Sequence, residues 1–192
     1  MHLTGEINTD KKSLRRSFSA TAAELDEQYK CKASADITDR ILSSPFYINA
    51  KSIFVYVSTQ KEPDTSFFIK KALEDGKTVY VPKCIKKGIM IPVEITADTV
   101  FEESFMGLYE PKEFDEKLKL SQIDLSIIPC VSASLSGKRL GHGGGFYDIF
   151  LENIKTFKAC VCFDALIQND IPTEKHDILM DAVITENGFF VI

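Results

Sequence analysis

Apolar and polar positions in the chain follow two different periods. Over the first 45 residues the pattern is helical. Leu25, Tyr29, Ile37 and Ile41 recur at multiples of four and share one face. Thr21 with Glu24 has the spacing of a capping box, which predicts a helix starting there. Lys11-Lys12-Ser13-Leu14-Arg15-Arg16 predicts a short basic helix of its own, and Pro45 follows soon after the helical pattern ends. From residue 52 the period changes. Ser52–Val57, Lys77–Pro82, Ile89–Val93, Ile123–Ile128, Lys158–Phe163, Ala182–Thr185 and Phe189–Ile192 are short apolar runs rich in Ile, Val and aromatics, and they predict strands. Pro92 removes a donor, which suits an edge strand. Pro63-Asp64-Thr65 opens a helix through Ala72 and Leu73 that Gly76 stops, and a second helix begins at about Phe146. Residues 98–115, with Gly107 and Pro111, are expected to form a long loop.

Strands alternating with helices predict one α/β domain over residues 1–192. The expected form is a three-layer, Rossmann-like fold: a mostly parallel open sheet with helices on both faces, residues 1–9 being flexible. Ligands in such sheets bind beyond the carboxyl ends of the strands. That draws attention to Ser58–Glu62 and Cys130–Asp148.

Composition narrows the possibilities. At 192 residues, 44% hydrophobic and 27% charged, the chain can bury a core and remain soluble. The net charge of −5 argues against a nucleic-acid partner, because phosphate-backbone binding calls for a basic surplus. No apolar run is long enough to span a membrane, and Met1–Asp10 lacks a signal-peptide core. The five cysteines match neither a zinc site nor a CxxC pair. Cys160 and Cys162 are expected on one strand face as small core residues, consistent with a reducing, cytoplasmic setting.

The chemistry concentrates in Gly137-Lys-Arg-Leu-Gly-His-Gly-Gly-Gly-Phe-Tyr-Asp148. Glycine permits positive φ and close backbone approach, and successive N–H groups at a helix start can cradle an anion. The string is neither a Walker A nor a GxGxxG motif, and its glycine content alone is equally compatible with a flexible connector. Read as a whole, it resembles the signature of the 5-formyltetrahydrofolate cyclo-ligase family: an apolar strand ending in Pro (Ile127-Ile128-Pro129), then G-x-R-L-G-x-G-x-G-[YF]-Y-D. Lys11-x-x-x-Arg15, Ser58-x-x-x-Glu62, and Pro172-x-x-x-His176-Asp177 with Asp181 and Ile184-Thr185-Glu186 match in the same order.

The resemblance implies ATP- and Mg²⁺-dependent closure of 5-formyltetrahydrofolate to 5,10-methenyltetrahydrofolate, with release of ADP and phosphate. It assigns ATP to Lys11, Arg15, Arg139, Leu140, Gly141, His142, Gly143, Gly144, Gly145, Phe146 and Tyr147. It assigns folate to Val57, Glu62, Met106, Tyr109 and Tyr147, catalysis to Arg139 and Tyr147, and Mg²⁺ to Asp148 and Asp177. The expected partners are these small molecules, with the protein a monomer or weak dimer. Each residue also has a plain structural reading. Lys11 and Arg15 could be a solvated helix face, Asp148 could complement a helix dipole, Asp177 and Glu62 could be loop charges, and Tyr147 could be core.

The chain departs from the family pattern in places. Ala133-Ser134 stands where Phe-Asp is usual, Phe146 replaces a commoner tyrosine, Ile149 stands at a commonly basic position, and position 142 varies. The Phe-Asp loss suggests an alternative: a nucleotide- or phosphate-binding α/β module without turnover. A further alternative is an enzyme of sugar phosphates or coenzyme A thioesters on a related scaffold. It would need a carboxylate suited to acid–base or acyl-accepting chemistry.

Overall fold

A computed structural model describes residues 11–104, 107–114 and 122–192. The chain opens with helices α1 (Lys11–Glu24), α2 (Glu27–Ser43) and α3 (Pro45–Asn49). Strand β1 (Ser52–Val55), helix α4 (Ser66–Glu74) and strands β2 (Thr78–Lys86) and β3 (Ile89–Ile95) follow. Then come β4 (Phe101–Glu103), β5 (Tyr109–Pro111), β6 (Gln122–Pro129), β7 (Ser132–Ser134) and β8 (Arg139–Leu140). Helix α5 (Phe146–Glu152), β9 (Lys155–Val161), a 3-10 turn at Asp164–Leu166, β10 (Ile167–Gln168), β11 (Ala182–Thr185) and β12 (Gly188–Val191) complete the described elements.

The main sheet has the order β12-β11-β9-β6-β1-β2-β3. Its five inner strands run parallel, and β12 and β3 close the edges antiparallel. Pro92 lies on edge strand β3, as its missing donor requires. Period-two alternation divides the core. Ile53, Val55, Val79, Val81, Leu125, Ile127, Ala159, Val161, Ala182 and Ile184 face α2, α3 and α4. Phe54, Tyr80, Ile128, Cys160 and Val183 face the other way, with Ala22 of α1 and Phe150 and Leu151 of α5. Helices therefore cover both faces, and Cys160 and Cys162 are buried on one side together. Ile123 breaks the alternation: it shares parity with Leu125 but sits in the opposite layer, and the β6–β9 register slips between Gln122 and Leu125.

The central pair is β1 and β6. Chain leaving β1 passes through α4 to β2 on one side, and chain leaving β6 passes through α5 to β9 on the other. The carboxyl ends of this pair therefore form a topological switch point, where a crevice opens between diverging connections. Fully buried Tyr56 shapes one wall. Its hydroxyl donates to Pro63 O at 2.7 Å, and Thr65 Oγ1 donates to Tyr56 O at 2.8 Å. The other wall rests on a small sheet, β10-β7-β8. Gly137 makes its turn at φ +84, where a Cβ would lie 2.7 Å from Met180 O. The first glycine of the motif is therefore a packing requirement. Ala133 and Ser134 are fully buried in β7.

Three expectations need correction. Residues 98–115 are not all loop: β4 and β5 pair as an antiparallel hairpin, with Glu102 opposite Glu110. The alternation there is too short to stand out in the sequence. The basic segment continues to Glu24, and Thr21 lies inside α1, where its hydroxyl donates to Ser17 O at 3.2 Å. Asp26 is the real N-cap of α2, accepting from the backbone N–H groups of Gln28 and Tyr29 at 2.9 and 3.1 Å. A cap wins where it can meet orphan N–H groups, and Thr21 has none to meet. Strand β1 also stops at Val55, leaving Tyr56 and Val57 to the connection. The expectations for residues 1–9 and for Met106 lie outside the described residues.

This assignment predicts that Asp26→Ala lowers unfolding free energy by about 1 kcal/mol, whereas Thr21→Ala changes it by less than about 0.5 kcal/mol. Urea denaturation of the two variants checks it. Equal losses would return the cap to Thr21.

Candidate active site

Residues from widely separated parts of the chain line a cavity of about 750 Å³ at the switch point. Lys11 and Arg15 come from α1, Val57, Thr59 and Glu62 from the β1–α4 connection, Tyr109 and Glu110 from β5, and Arg139 through Asp148 from β8 into α5. Glu174, His176 and Asp177 close it from the segment before β11. Every described residue that the sequence singled out for ATP, folate or metal lines this one cavity.

Arg139 forms the floor. Its side chain is 4% exposed; Nη2 donates to Asp148 Oδ1 at 2.9 Å and Nη1 to Pro129 O at 3.4 Å. Its Nε is buried without a partner. Asp148 Oδ1 also accepts from Ile178 N at 3.2 Å, tying α5 to the 178 segment. Arg15 approaches the loop from the other side, with Nε donating to Gly141 O at 2.7 Å. The glycines make these approaches possible. A Cβ on Gly141 would lie 2.8 Å from Arg139 Nη1, and one on Gly143 would lie 3.3 Å from Arg15 Cζ. Gly143 and Gly145 have φ of +95 and +70, which glycine alone adopts easily. The loop is thus clasped between two guanidinium groups.

At one rim Lys11 Nζ donates to Asp177 Oδ2 at 2.5 Å and lies 3.3 Å from Glu174 Oε2. Asp177 Oδ2 also accepts from Glu174 N. Burial would raise the Asp177 carboxyl, but the bond from Lys11 and that backbone bond outweigh it and hold it below the usual range. Ligand atoms of Glu174, His176 and Asp177 lie within 4.8 Å of one another. Across the cavity Glu62 is buried, its side chain 7% exposed. Oε2 accepts from Thr59 N and Thr59 Oγ1 at 2.9 and 2.8 Å, and Oε1 pairs with His142 Nε2 at 3.0 Å. Burial alone would raise its pKa, but the bonds from His142 and Thr59 lower it instead.

Tyr147 stands between these poles, half-buried, with Arg139 Cζ 5.8 Å from its ring centroid and the edge of Phe54 nearby. Burial and then the Glu62 charge push its phenol well above the ordinary range, so it is a protonated wall at neutral pH. Val57 and Tyr109 also face the cavity. Sequence reasoning missed Glu110. This buried carboxylate accepts from Cys84 N at 3.2 Å and docks the β4–β5 hairpin on β2. It lay inside the stretch read as loop, so only the hairpin could have exposed it. Burial, then Glu110, push the Cys84 thiol up to about 12, which removes it as a thiolate nucleophile at neutral pH. Asp181, also in the matched C-terminal segment, accepts from Lys158 N and Nζ at 2.8 Å, a packing role.

The Glu62 geometry sets a pH dependence. A carboxylate with a depressed folded pKa stabilises the fold above its unfolded pKa, near ~4.3, and loses that contribution as pH falls through its folded value. Wild-type protein should therefore lose stability relative to Glu62→Gln as pH drops below about 4.5. Denaturant midpoints measured for both across that window test the sign. A constant difference would mean that Glu62 is not held by these bonds.

Comparison with known proteins gives one answer. Residues 7–186 match the model of the 5-formyltetrahydrofolate cyclo-ligase family. The chain is 26% identical over 195 residues to mouse 5-formyltetrahydrofolate cyclo-ligase, covering 95% of this chain and 96% of the relative. It is 31% identical over 152 residues to the Escherichia coli K12 5-formyltetrahydrofolate cyclo-ligase, covering 76% and 84%. An NMR structure of Aquifex aeolicus 5,10-methenyltetrahydrofolate synthetase superposes with a TM-score of 0.84 at 24% identity, covering 94% of this chain and 92% of that one. At that identity the superposition speaks for the fold, and it matches the layered α/β sheet described above. Among the described residues no helix is long and apolar enough to cross a membrane. On the family match and its near full-length relatives, the chain belongs to the 5-formyltetrahydrofolate cyclo-ligase family of ligases.

Proposed function

We propose that the cavity binds ATP and 5-formyltetrahydrofolate together and closes the folate ring at the expense of the γ-phosphoryl bond. The observation that carries this is the shared cavity itself. Lys11, Arg15 and Arg139 surround the glycine loop, and Glu62 faces them with Tyr147 between. The loop side suits phosphates, and the Glu62 side suits a heterocycle rich in N–H donors.

The formamide oxygen of the substrate is a poor leaving group. Its attack on the γ-phosphorus forms an O–P bond and breaks the bond to ADP. N10 then attacks the activated formyl carbon and gives up its proton, and phosphate departs with the formyl oxygen, leaving the methenyl bridge. Phosphoryl transfer of this kind needs positioning and charge neutralisation above all. Lys11, Arg15 and Arg139 neutralise, the loop amides position, and Glu62 orients the pterin through its amino and ring N–H groups. Tyr147, protonated and packed beside Arg139, walls the reacting centre.

The charge inventory fits a divalent cation. Lys11, Arg15, Lys61 and Arg139 face Glu62, Glu110, Asp148, Glu174 and Asp177 in the lining, four cations against five carboxylates. A polyphosphate adds further negative charge, so a counter-ion suits the site. Asp148 and Asp177 offer hard oxygens of the type Mg²⁺ takes, alongside substrate phosphates. Asp148 makes both of its bonds through Oδ1. Magnesium, when bound, neutralises charge on the phosphates. The non-catalytic alternative gains nothing from the departure at 133–134, because neither Ala133 nor Ser134 lines the cavity.

Purified protein with ATP, Mg²⁺ and 5-formyltetrahydrofolate should produce the methenyl chromophore and ADP in equal amounts. Glu62→Gln should lower folate kcat/KM by about tenfold or more without weakening ATP binding. Lys11→Ala with Arg15→Ala should do the reverse, with calorimetry showing ATP weakened by about tenfold or more. Asp148→Asn and excess chelator should each reduce turnover by at least about tenfold. No chromophore from folded wild type would refute the reading. Equal losses for both ligands in Glu62→Gln would indicate a folding defect.

A further inference from the structure

The two oxygens of Glu62 are engaged unequally. A carboxylate has about four lone-pair positions. Thr59 fills two on Oε2 through its backbone N–H and its hydroxyl, at 2.9 and 2.8 Å. Oε2 is thereby saturated and fixed. Any ligand that Glu62 is to hold by two N–H groups must use Oε1, and His142 already occupies that oxygen at 3.0 Å. With His142 in place Glu62 can accept one further bond; with His142 gone it can accept two.

The blocking group is not part of the Glu62 wall. His142 sits on the glycine loop 80 residues away in sequence, flanked by Gly141 and by Gly143 at φ +95. Its side chain is 55% exposed, whereas that of Glu62 is 7% exposed. Among the described residues, the side-chain hydrogen bond recorded for His142 is the one to Glu62. A single well-exposed imidazole therefore ties the phosphate-facing loop to the carboxylate across the cavity. It can turn away without disturbing the core.

We propose that His142 is a positioning residue that couples the nucleotide and folate halves of the site. In one arrangement, the one seen here, its N–H covers Glu62 Oε1. When phosphates settle on the loop, their greater negative charge draws the imidazole to them and frees Oε1 for the pterin. Nucleotide binding thereby prepares the folate side. The inference rests on the reading that the loop takes phosphates and Glu62 takes folate. A ligand shifts a two-state group only through its different affinity for the two arrangements, and such coupling is reciprocal.

The test is equilibrium binding by calorimetry with a non-hydrolysable β,γ-imido ATP analogue, Mg²⁺ and 5-formyltetrahydrofolate, so that no turnover intervenes. In wild type, saturating analogue should tighten folate binding by about fivefold or more, and folate should tighten the analogue by the same factor. In His142→Ala folate alone should bind about as tightly as it does to analogue-loaded wild type, with coupling reduced to less than about twofold. His142→Gln, whose amide can reach the same carboxylate, should recover part of the coupling. A merely structural role would weaken both ligands and leave the coupling factor in place. Coupling unchanged in His142→Ala overturns the inference, as does wild type that binds both ligands independently. Wild type that binds neither ligand overturns the parent reading as well, which separates the two failures.

Discussion

Arg139 carries a permanent positive charge into a position where its side chain is 4% exposed. A charge removed from water needs partners, and leaving one uncompensated costs several kcal/mol. Asp148 and Pro129 O supply two bonds, and Nε is left with none. Much of the local architecture follows from this demand. Pro129 ends β6, so its carbonyl lies at the sheet edge where the guanidinium arrives. Asp148 stands in the first turn of α5, so the same ion pair fixes the helix against β8. Gly141 must lack a side chain, because a Cβ would collide with Arg139 Nη1.

The glycine string has two kinds of work. Gly137 turns the small sheet and packs against Met180 O, and it does not line the cavity. Gly141 and Gly143 admit Arg139 and Arg15 against the loop backbone. A motif usually read as room for a phosphate is here, in addition, room for the arginines that would hold the phosphate. The sheet contributes the placement. Because β1 and β6 send their connections to opposite edges, one connection brings Glu62 and the other brings the loop, and they meet at the His142–Glu62 contact.

The layered sheet was legible because Val79-Tyr80-Val81 and Ile127-Ile128 are buried apolar stretches rich in β-branched and aromatic residues, and such runs alternate with helical patterns along the chain. The loop residues were legible as a string with family resemblance, since spacing alone left a connector possible. What the sequence hid was contact across distance. Lys11 meets Asp177 across 166 positions and Arg15 meets Gly141 across 126, and no local pattern marks either pair. Asp26 was overlooked because Thr21-x-x-Glu24 matches a capping box five residues too early. Glu110 was hidden by three-residue strands, too short for alternation to register.

If the cavity takes phosphates as proposed, the buried fork of Arg139, and not simply its positive charge, is what shapes that side of it. Arg139→Lys keeps the charge and can keep a contact to Asp148, but it loses the planar fork that reaches Asp148 and Pro129 O together. Steady-state kinetics on this variant, with its fold verified by its unfolding transition, gives the most direct reading. The prediction is a folded protein whose kcat/KM for ATP falls by about tenfold or more. A folded Arg139→Lys protein with wild-type kcat/KM for ATP would contradict it.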